Sequence, residues 1–427
     1  MPDCLWGTES RPARVTRVTL TMTPPRRNLQ SVLLLEGANL TSGIGNSVVT
    51  LVIPWLVLEN TDSPTFAGLV LALSAIPGLL ISPIAGWLVD KFGRRLVSIS
   101  SDILSALSVS AIPIAAAAGV LNPGLLLVLA SLGATFDPAG YTARRTLIVD
   151  AARTSKVNTD SLNGIHEGLF AVGWTVGPFI GALLIATVGA QNAFWVPAAL
   201  FLIAALAVLA MRITPAPAAD DQHHESPSEG WRGFARGFTA LWHDRVLRTM
   251  TIAVLIIAAI YLPTEAIVLP TYFEALGDPT SLGIVIAALA GGSAVGSFGY
   301  GWISRRISRL ALTRLILLGT AISILPMAFL PPLPLLATAG FALGLCWGPF
   351  NPLMNTLIQR RIPDNEQGRV FGVQLSFFYA APLIAMVAGG WAVESFGVPT
   401  TYLALAIALT ITSLAAIMSP GLRDINR

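Results

Sequence analysis

Long apolar runs separated by short polar segments occupy most of the chain. We count twelve runs of about 20 residues or more, the length that an α-helix needs to cross the hydrocarbon core of a bilayer. The runs cover residues 31–58, 66–89, 97–119, 124–146, 165–188, 191–211, 248–273, 280–303, 310–330, 333–357, 370–393 and 398–419. The pattern predicts an all-α integral membrane protein with twelve transmembrane helices.

A polar segment divides these helices into two sets of six. Residues 213–230 have the composition of a flexible linker. Aromatic and apolar residues then recur at helical spacing from Trp231 to Trp242, which predicts an interfacial amphipathic helix. We therefore predict an N-terminal tail (1–30), a six-helix bundle (31–211), a linker with the amphipathic helix (212–247), a second six-helix bundle (248–419) and a C-terminal tail (420–427).

Charged residues are scarce, and the basic ones are sorted to one side. Asp, Glu, Lys and Arg make up 11% of the chain, against about 25% in a soluble domain. If the N-terminus is cytoplasmic, all 26 Lys and Arg lie in cytoplasmic segments or at cytoplasmic helix ends, as the positive-inside rule predicts. Both termini are then cytoplasmic and the protein lies in the cell membrane. The net charge of +3 does not indicate a nucleic-acid partner.

The chain lacks the residue patterns typical of an enzyme. Its two cysteines imply no disulfide framework, and no nucleotide-binding P-loop is present. The sequence also shows no metal constellation and no nucleophile–base pair at membrane depth. We expect no cofactor, no bound metal and no enzymatic activity.

A charged decapeptide joins the second and third predicted helices. It begins at Gly86, which lets two helix backbones approach closely, and Gly93 permits the positive φ of a tight turn. Asp90 can accept hydrogen bonds at a helix end, and Arg94 and Arg95 mark the cytoplasmic side. The string resembles the corresponding loop of the major facilitator superfamily, G-x-L-x-D-x-x-G-R-[RK], with every defining position filled.

That resemblance implies two pseudo-symmetric six-helix bundles around a central cavity that opens alternately to each side. In the superfamily this loop is a conformational latch, so we expect a structural role for Asp90 near the N-terminus of the eleventh helix. Residues 301–309 repeat the decapeptide in the second half in degraded form. Arg305 replaces the aspartate and Ser308 replaces the second glycine.

The fifth predicted helix carries small residues at regular spacing. Gly173, Gly177 and Gly181 make a flat packing face, and Pro178 lies in register with them. The string resembles the G-x-x-x-G-P-x-x-G-G signature of the drug/proton antiporter branch of the superfamily, with Ala182 in place of the last glycine. The resemblance implies antiport.

Ionisable residues inside the apolar runs are costly, at about 2.5–3.5 kcal/mol or more each, and indicate function. Glu36 lies near the start of helix 1 and either forms a salt bridge with Arg144 or Arg145 or couples to protons. Asp137 lies near the middle of helix 4, two turns before Arg144. Glu265 lies in helix 7 with no basic residue at its depth. It either carries a proton, binds a cation or reaches water at the outer face.

Polar and aromatic residues on helices 1, 4, 7 and 10 are predicted to line the central cavity. Glu36, Asn39, Asn46 and Thr50 share one helical face, and interhelical hydrogen bonding is the alternative for the helix 10 stripe. We expect His166 and Glu167 to be interfacial. The predicted lining residues are Asn39, Asn46, Tyr141, Tyr261, Trp347, Asn351 and Asn355.

The order of these features resembles the third drug/proton antiporter family, and within it the actinobacterial Tap-type multidrug pumps. The resemblance implies a monomeric, proton-coupled exporter of amphiphilic, cationic drugs such as tetracycline-like or aminoglycoside-like compounds. A siderophore or another endogenous metabolite is an alternative cargo. A nutrient symporter or a sensor that has lost cycling is the alternative class of protein.

Overall fold

In the computed structural model, residues 29–81, 85–212 and 227–426 are described, and nearly all of them are helical. The helices of the first half are α1 (Gln30–Thr61), α2 (Pro64–Ile81), α3 (Ala85–Phe92), α4 (Arg94–Ala117), α5 (Pro123–Thr135), α6 (Asp137–Ser155), α7 (Thr159–Val188), α8 (Ala190–Ala193) and α9 (Trp195–Ala210). Those that follow are α10 (Pro227–His243), α11 (Arg245–Pro263), a π-helix (Thr264–Val268), α12 (Leu269–Ala275), α13 (Pro279–Ile303), α14 (Arg309–Ala328), α15 (Leu333–Trp347), α16 (Phe350–Arg361), α17 (Asp364–Phe396), α18 (Val398–Met418) and a short 3₁₀ helix (Pro420–Leu422).

The helices confirm the all-α membrane fold. Eleven helical spans among the described residues are long and apolar enough to cross a bilayer. The twelfth predicted span is α17, a continuous 33-residue helix whose segment Leu383–Phe396 is apolar. The predicted runs are therefore helical, although α17 begins six residues earlier than its apolar run.

Three of the predicted spans are interrupted in mid-membrane. Predicted helix 4 is divided at Phe136 into α5 and α6, predicted helix 7 contains the π-helix, and predicted helix 10 is divided between α15 and α16. Proline is present at each break, as Pro138, Pro263 and Pro349. Because proline has no N–H and its ring clashes with the preceding turn, the regular hydrogen-bond ladder stops there.

Each half forms its own bundle. In the first, α1 packs along α7 and α9, and α4 packs along α6 and α9. In the second, α13 packs along α15, and α14 along α18. Glycines bring the backbones of α13 and α15 into contact, because a Cβ on Gly292 or Gly344 would clash with a carbonyl oxygen of the other helix. This is the small-residue packing typical of membrane helices, where dispersion contacts replace the hydrophobic effect.

The two bundles meet along α2 with α17 and along α7 with α13. A Cβ on Gly68 of α2 would clash with the Met386 carbonyl oxygen of α17, and Gly283 of α13 lies against Ala182 of α7. Glu394 of α17 also accepts a 2.8 Å hydrogen bond from the Ser63 hydroxyl at the start of α2. These contacts lie near the ends of the helices that are remote from Arg94, Arg145 and Arg361.

We call the arginine-bearing helix ends the basic face and the other ends the acidic face. The acidic face carries Glu59, Asp62, Glu274, Asp278 and Glu394. Towards the basic face, a Cβ on Gly164 or Gly168 of α7, or on Gly301 of α13, would meet no described atom within 4 Å. The closest described contacts between the bundles therefore lie at the acidic face, where the two bundles are closed on each other.

The amphipathic helix predicted after the linker is α10. Leu241 is fully buried, and Phe238 stacks on Trp242 and meets Phe377 of α17 edge-on at 6.1 Å between ring centroids. Arg236, on the other side of the helix, is exposed. The apolar face of α10 therefore contacts the second bundle, in addition to any contact with the membrane surface.

Candidate functional site

Among the described residues, three sets of ionisable side chains lie well inside the spanning helices. The first is a pair between α1 and α7, the second is a cluster between α1, α4 and α6, and the third is a single carboxyl group on the π-helix. The first two belong to the N-terminal bundle and the third to the C-terminal bundle.

The pair between α1 and α7 consists of Glu36 and His166. The His166 Nδ1 atom lies 3.2 Å from Glu36 Oε2 and 3.3 Å from Oε1. Asn39 donates a 2.8 Å hydrogen bond to the His166 carbonyl oxygen, which ties α1 to α7 at the same level. His166 is completely buried, and its Nε2 atom has no hydrogen-bond partner among the described residues.

This geometry corrects three predictions. Glu36 does not pair with Arg144 or Arg145; its partner is His166. His166 is not exposed at the membrane surface, because it is completely buried between α1 and α7. Asn39 does not line an open cavity, because it is buried against α7. Helical periodicity correctly grouped Glu36 with Asn39 on one face, but it could not show that this face is turned towards α7.

The cluster between α1, α4 and α6 is built around Arg144. Its Nη1 atom donates to both carboxylate oxygens of Asp102, at 3.0 and 2.9 Å. The Ser42 hydroxyl of α1 donates to Asp102 Oδ1 at 3.0 Å. Arg144 and Asp102 are both buried, so each charge depends on the other in a region without bulk water.

Asp137 is the second carboxyl group of this cluster. It is the first residue of α6, immediately after the break at Phe136. Its Oδ1 atom accepts a 3.2 Å hydrogen bond from Ser105 of α4, and Arg144 and Asp102 both lie within electrostatic range of it. The cluster therefore combines two carboxyl groups with one guanidinium group.

Asp102 was missed by reasoning from the sequence. It lies within the apolar run 97–119, where a single charge indicates function or pairing as strongly as Asp137 does. The signal that could have found it is the serine stripe on the same helix, with Ser98, Ser101, Ser105 and Ser108 three or four residues apart. A polar stripe at helical spacing indicates a helix face that packs against other polar groups.

Arg145 and Tyr141 lie on another side of α6. Arg145 forms a 3.0 Å ion pair with Glu167 of α7, and both side chains are about half exposed. The Arg145 guanidinium lies 5.7 Å from the Tyr141 ring centroid. Tyr141 in turn contacts Phe170, with ring centroids 5.3 Å apart, so aromatic surface continues from α6 to α7.

Glu265 lies on the π-helix, which contacts α1 and α2 of the first bundle as well as α17 and α18 of the second. The side chain is half-buried. Its neighbours are the Tyr261 hydroxyl, one turn earlier, and the buried Tyr402 of α18. No ion pair to Glu265 occurs among the described residues. Single π-turns within α-helices are frequent at functional sites.

Tyr261 and Trp347 line a small cavity of about 30 Å³ inside the second bundle, which is enough for a water molecule. Trp347 also stacks on Phe350 with ring centroids 4.9 Å apart. Asn351 and Asn355 of α16 are exposed at adjacent turns, whereas Asn46 of α1 is half-buried. Of the predicted lining residues of the C-terminal bundle, Tyr261 and Trp347 therefore line the internal cavity, whereas Asn351 and Asn355 form an exposed polar stripe.

The decapeptide is described in part. Gly93 has φ +87°, as the predicted tight turn requires. Arg94 forms a 3.1 Å ion pair with Asp150 of α6. Arg95 donates to the carbonyl oxygens of Val208 and Leu209 at the end of α9, where a cation is favoured by the helix dipole. The side chains at positions 86 and 90 lie outside the described residues.

The glycine face of the fifth predicted helix is present in α7 and packs against α1. Cβ atoms on Gly173, Gly177 and Gly181 would crowd Ile44, Ser47 and Leu51, respectively. The same helix meets the second bundle through Pro178 and Ala182 at Gly283. The motif therefore joins one bundle internally and touches the other bundle next to the closed acidic face.

Together these groups place carboxyl groups and an imidazole at membrane depth, and two of the elements that carry them, α7 and the π-helix, contact the other bundle. No group of three His, Cys, Asp or Glu residues suited to a metal ion occurs within the described part of the chain. The arrangement contains ionisable groups in both bundles, on α1, α4, α6, α7 and the π-helix.

Comparison with known proteins places the chain in a family. The family model of the Major Facilitator Superfamily matches residues 37–379 and 266–423. The chain is 39% identical over 400 residues to the multidrug efflux pump Tap of Mycolicibacterium fortuitum, covering 92% of this chain and 97% of that protein. It is 36% identical over 397 residues to the Tap pump of Mycobacterium tuberculosis, with 92% and 94% covered.

More distant similarities are consistent with these. The multi-drug resistance efflux pump PmrA of Streptococcus pneumoniae is 24% identical over 380 residues, with 86% of this chain and 90% of that protein covered. Among solved structures, a variant of the nucleoside transporter NupG matches with a TM-score of 0.77 at 12% identity, over 92% of this chain and 100% of the other. An inward-facing bacterial homologue of the lysosomal transporter Spinster matches with 0.69 at 16% identity, over 94% and 98%. At these identities the structures support the fold alone.

Proposed function

The chain belongs to the major facilitator superfamily, and we propose that it exports amphiphilic, cationic drugs in exchange for protons. It is a multidrug efflux transporter rather than an enzyme. The observation that carries the proposal is the similarity to Tap multidrug efflux pumps, at 36–39% identity over 92% of the chain. Tetracycline-like and aminoglycoside-like compounds are the drug classes that we propose.

The orientation of the protein in the membrane follows from the one-sided distribution of Lys and Arg. We place the basic face in the cytoplasm of a cell that carries the protein in its plasma membrane, because Lys and Arg are retained on the cytoplasmic side. Both termini are then cytoplasmic, and we propose that this arrangement, with its bundles in contact at the outer face, is the inward-open state. A drug would enter the cavity from the cytoplasm or the inner leaflet, where this arrangement is accessible.

We assign proton coupling in the C-terminal bundle to Glu265. An acidic group without a cationic partner in a partly desolvated site favours its neutral form. The π-helix that carries it contacts both bundles, so a change of charge there acts on the interface that must open and close. Protonation from outside would release a bound cation, and deprotonation towards the cytoplasm would restore the site.

We assign drug contact to aromatic and amide groups of both bundles. Tyr141 provides aromatic surface that suits cations, since a ring face attracts them. Trp347, Asn351 and Asn355 supply a second aromatic group and an amide stripe. Asp90, together with Gly86 and Gly93, is proposed as the latch of the outward-open state and not as a drug contact.

Transport in inverted membrane vesicles tests the proposal. The vesicle lumen is acidified, and uptake of the fluorescent cation ethidium and of tetracycline is followed with and without a protonophore. We expect uptake that needs the acidic lumen and that is lost in Glu265→Gln. Glu274→Gln is the matched control, because Glu274 lies on the same span at the acidic face, and it should leave uptake intact.

Two results would overturn the proposal. Uptake that is indifferent to the pH difference would remove proton coupling. Normal, gradient-driven uptake by a folded Glu265→Gln protein would remove the assignment of Glu265 and leave the antiport mechanism in place. Drug susceptibility of a sensitised host that expresses the chain, measured across several drug classes, then defines the range of substrates.

A further inference from the structure

We propose that Asp137 holds a coupling proton in the N-terminal bundle and that Arg144 exchanges Asp102 for Asp137 when this proton leaves. The inference rests on the proposed proton antiport. It adds a second proton site and an exchange of ion-pair partners that responds to the proton. It goes beyond the proposed role of Glu265, because it concerns the other bundle and a residue, Asp102, with no counterpart in the motifs.

The first support is the charge balance of the cluster. Arg144 gives one nitrogen, Nη1, to both oxygens of Asp102, and Ser42 provides a further hydrogen bond to the same carboxylate. Asp102 and Arg144 therefore form a neutral, well-bonded pair. Asp137 adds a second carboxyl group, and if it were ionised the cluster would carry one uncompensated negative charge, which is costly at this depth.

The second support is the hydrogen bonding of Asp137. Its contact in the cluster is the Ser105 hydroxyl at 3.2 Å, and the same hydroxyl lies 3.5 Å from the Gly133 carbonyl oxygen. A hydroxyl can donate or accept. A protonated Asp137 would donate to Ser105, which would donate to Gly133, whereas an ionised Asp137 would accept from Ser105. Ser105 therefore serves both protonation states without any other movement.

The third support is the path of the Arg144 side chain. The guanidinium passes over Gly140, where its Nη1 atom lies 3.6 Å from the position of an added Cβ. Gly140 is three residues after Asp137 on the same face of α6, so the guanidinium lies on the side of α6 that carries Asp137, within electrostatic range of its carboxyl group. Its Nε atom is buried and has no hydrogen-bond partner within the described residues. Rotation of the Arg144 side chain can therefore offer a donor to Asp137.

Few other groups face Asp137. α4 contributes Asp102 and Ser105, α6 contributes Arg144, and α2 presents Gly78 against Pro138. The described side chains of α3 that pack on α6, Ala85 and Val89, are apolar. Glu36 of α1 is already engaged with His166. Within the described structure, Arg144 is therefore the cation available to compensate an ionised Asp137.

The exchange would transmit protonation to α1. When Arg144 leaves Asp102, the hydrogen bond from Ser42 becomes the main support of that carboxylate, so α1 and α4 are held differently. Asp137 also lies at the break between α5 and α6, where the helix lacks regular hydrogen bonds. Loss of a proton can thus change the packing of α1, α4 and α6 together.

Infrared difference spectroscopy of the purified protein tests the inference. In Glu265→Gln, which lacks the other proposed proton carrier, raising the pH should remove the C=O stretch of a protonated carboxyl group, and this band should be missing when Asp137→Asn is added to that variant. In Asp102→Asn, Arg144 is free to pair with ionised Asp137. The pH at which the band disappears should then fall by roughly one to three units, the usual effect of an opposite charge within a few ångströms.

Proton release on ethidium binding, followed with a pH indicator in weak buffer, gives the functional readout. Wild-type protein should release more protons for each ethidium bound than Asp137→Asn, and thermal unfolding confirms that the variant is folded. An unchanged ratio, or a band that persists when Asp137→Asn is combined with Glu265→Gln, overturns the assignment of the proton. A band whose midpoint does not move in Asp102→Asn overturns the exchange. Gradient-driven ethidium uptake by wild-type vesicles in the same experiments shows that antiport itself stands, whereas its absence would count against the proposed function instead.

Discussion

The two bundles have the same helical architecture but differ in how their buried ionisable side chains are paired. The N-terminal bundle buries Glu36, His166, Asp102 and Arg144 in two bonded clusters between α1, α4, α6 and α7. The C-terminal bundle places a single carboxyl group, Glu265, among tyrosines on a π-helix. The degraded second copy of the decapeptide shows the same asymmetry, since Arg305 stands where the first copy has Asp90.

The difference indicates a division of roles. In the N-terminal bundle, a paired charge can respond to a proton by changing its partner, and each pair that forms is neutral overall. An unpaired carboxyl group in the C-terminal bundle can respond mainly by changing its own protonation. Stability and transport are therefore coupled more tightly in the N-terminal bundle than in the C-terminal bundle. Removing one charge from the N-terminal bundle leaves another buried charge without its partner.

Breaking the buried ion pair of the N-terminal bundle should have the largest effect. Arg144→Met leaves Asp102 buried without a cation, which costs about 3–5 kcal/mol. The matched change in the C-terminal bundle is Arg361→Met, which breaks a pair with Asp244 whose side chains are 16% and 22% exposed. It should cost about 1 kcal/mol. Folded yield and thermal unfolding in detergent measure both.

A compensating variant sharpens this comparison. Asp102→Leu combined with Arg144→Met removes both charges and should recover much of the lost stability, because well-packed apolar residues can replace a buried pair. Equal melting temperatures for Arg144→Met and Arg361→Met would show that the two bundles do not differ in the way that we describe.

The contact between the bundles can be tested with a methyl group. Gly68→Ala places a Cβ against the Met386 carbonyl oxygen, and overpacking of this kind costs about 1–3 kcal/mol. The strain falls on the closed acidic face, so the population of inward-open protein should fall. Gly164→Ala, towards the basic face, has space around it and is the control. Alkylation rates of single cysteines placed at each face report the change, and identical rates in both variants would contradict the closure that we describe.

Neutralising one carboxyl group in each bundle should separate stability from transport. Glu36→Gln weakens a buried hydrogen-bonded pair with His166, so we expect a loss of about 1–3 kcal/mol. Glu265→Gln removes an unpaired acid and should change the free energy of unfolding by no more than about 0.5 kcal/mol. Thermal unfolding at neutral pH distinguishes them. A larger loss for Glu265→Gln would mean that Glu265 has a structural partner.

The smallest expected effect concerns Asp278, in the loop before α13. It accepts hydrogen bonds from the Ser281 N–H at 3.0 Å and from the Ser281 hydroxyl, and these hydrogen bonds lower the pKa of Asp278 below its usual value. The carboxylate therefore stabilises the fold above its unfolded pKa, and this contribution is lost as the pH falls through the lowered folded value. Asp278→Asn should leave the melting temperature at pH 7 nearly unchanged, because Asn also caps helices, and should reduce the loss of stability on acidification. An identical acid dependence for both proteins would contradict the cap.

Most of the fold could be predicted from the sequence. The spans are set by the lengths of the apolar runs, and a run of about 20 apolar residues has one stable conformation in lipid, the α-helix. Reasoning from the sequence did not predict the breaks at Phe136, in the π-helix and before α16. Proline signals a possible interruption, but many membrane helices accommodate proline when a neighbour satisfies the freed backbone groups. Whether a neighbour does so depends on packing that no single run contains.

The candidate sites divide in the same way. Glu265 could be singled out because its isolation is a property of the sequence: no basic residue occurs at its depth. The partners of Glu36 and Arg144 could not be predicted, since residues on different helices at similar depth offer several possible pairings. The Glu36–His166 and Arg144–Asp102 pairs arise because α1 rotates Glu36 towards α7 and Ser42 towards α4.

By itself, the sequence determined the number of spans, their orientation relative to the sorted arginines and the presence of costly charges within them. These properties follow from transfer free energies of individual residues, which add along the chain. The tertiary structure alone decided which charges neutralise each other and where the bundles touch. Those outcomes depend on helix rotation and on backbone approach within a few ångströms, set by side chains on other helices.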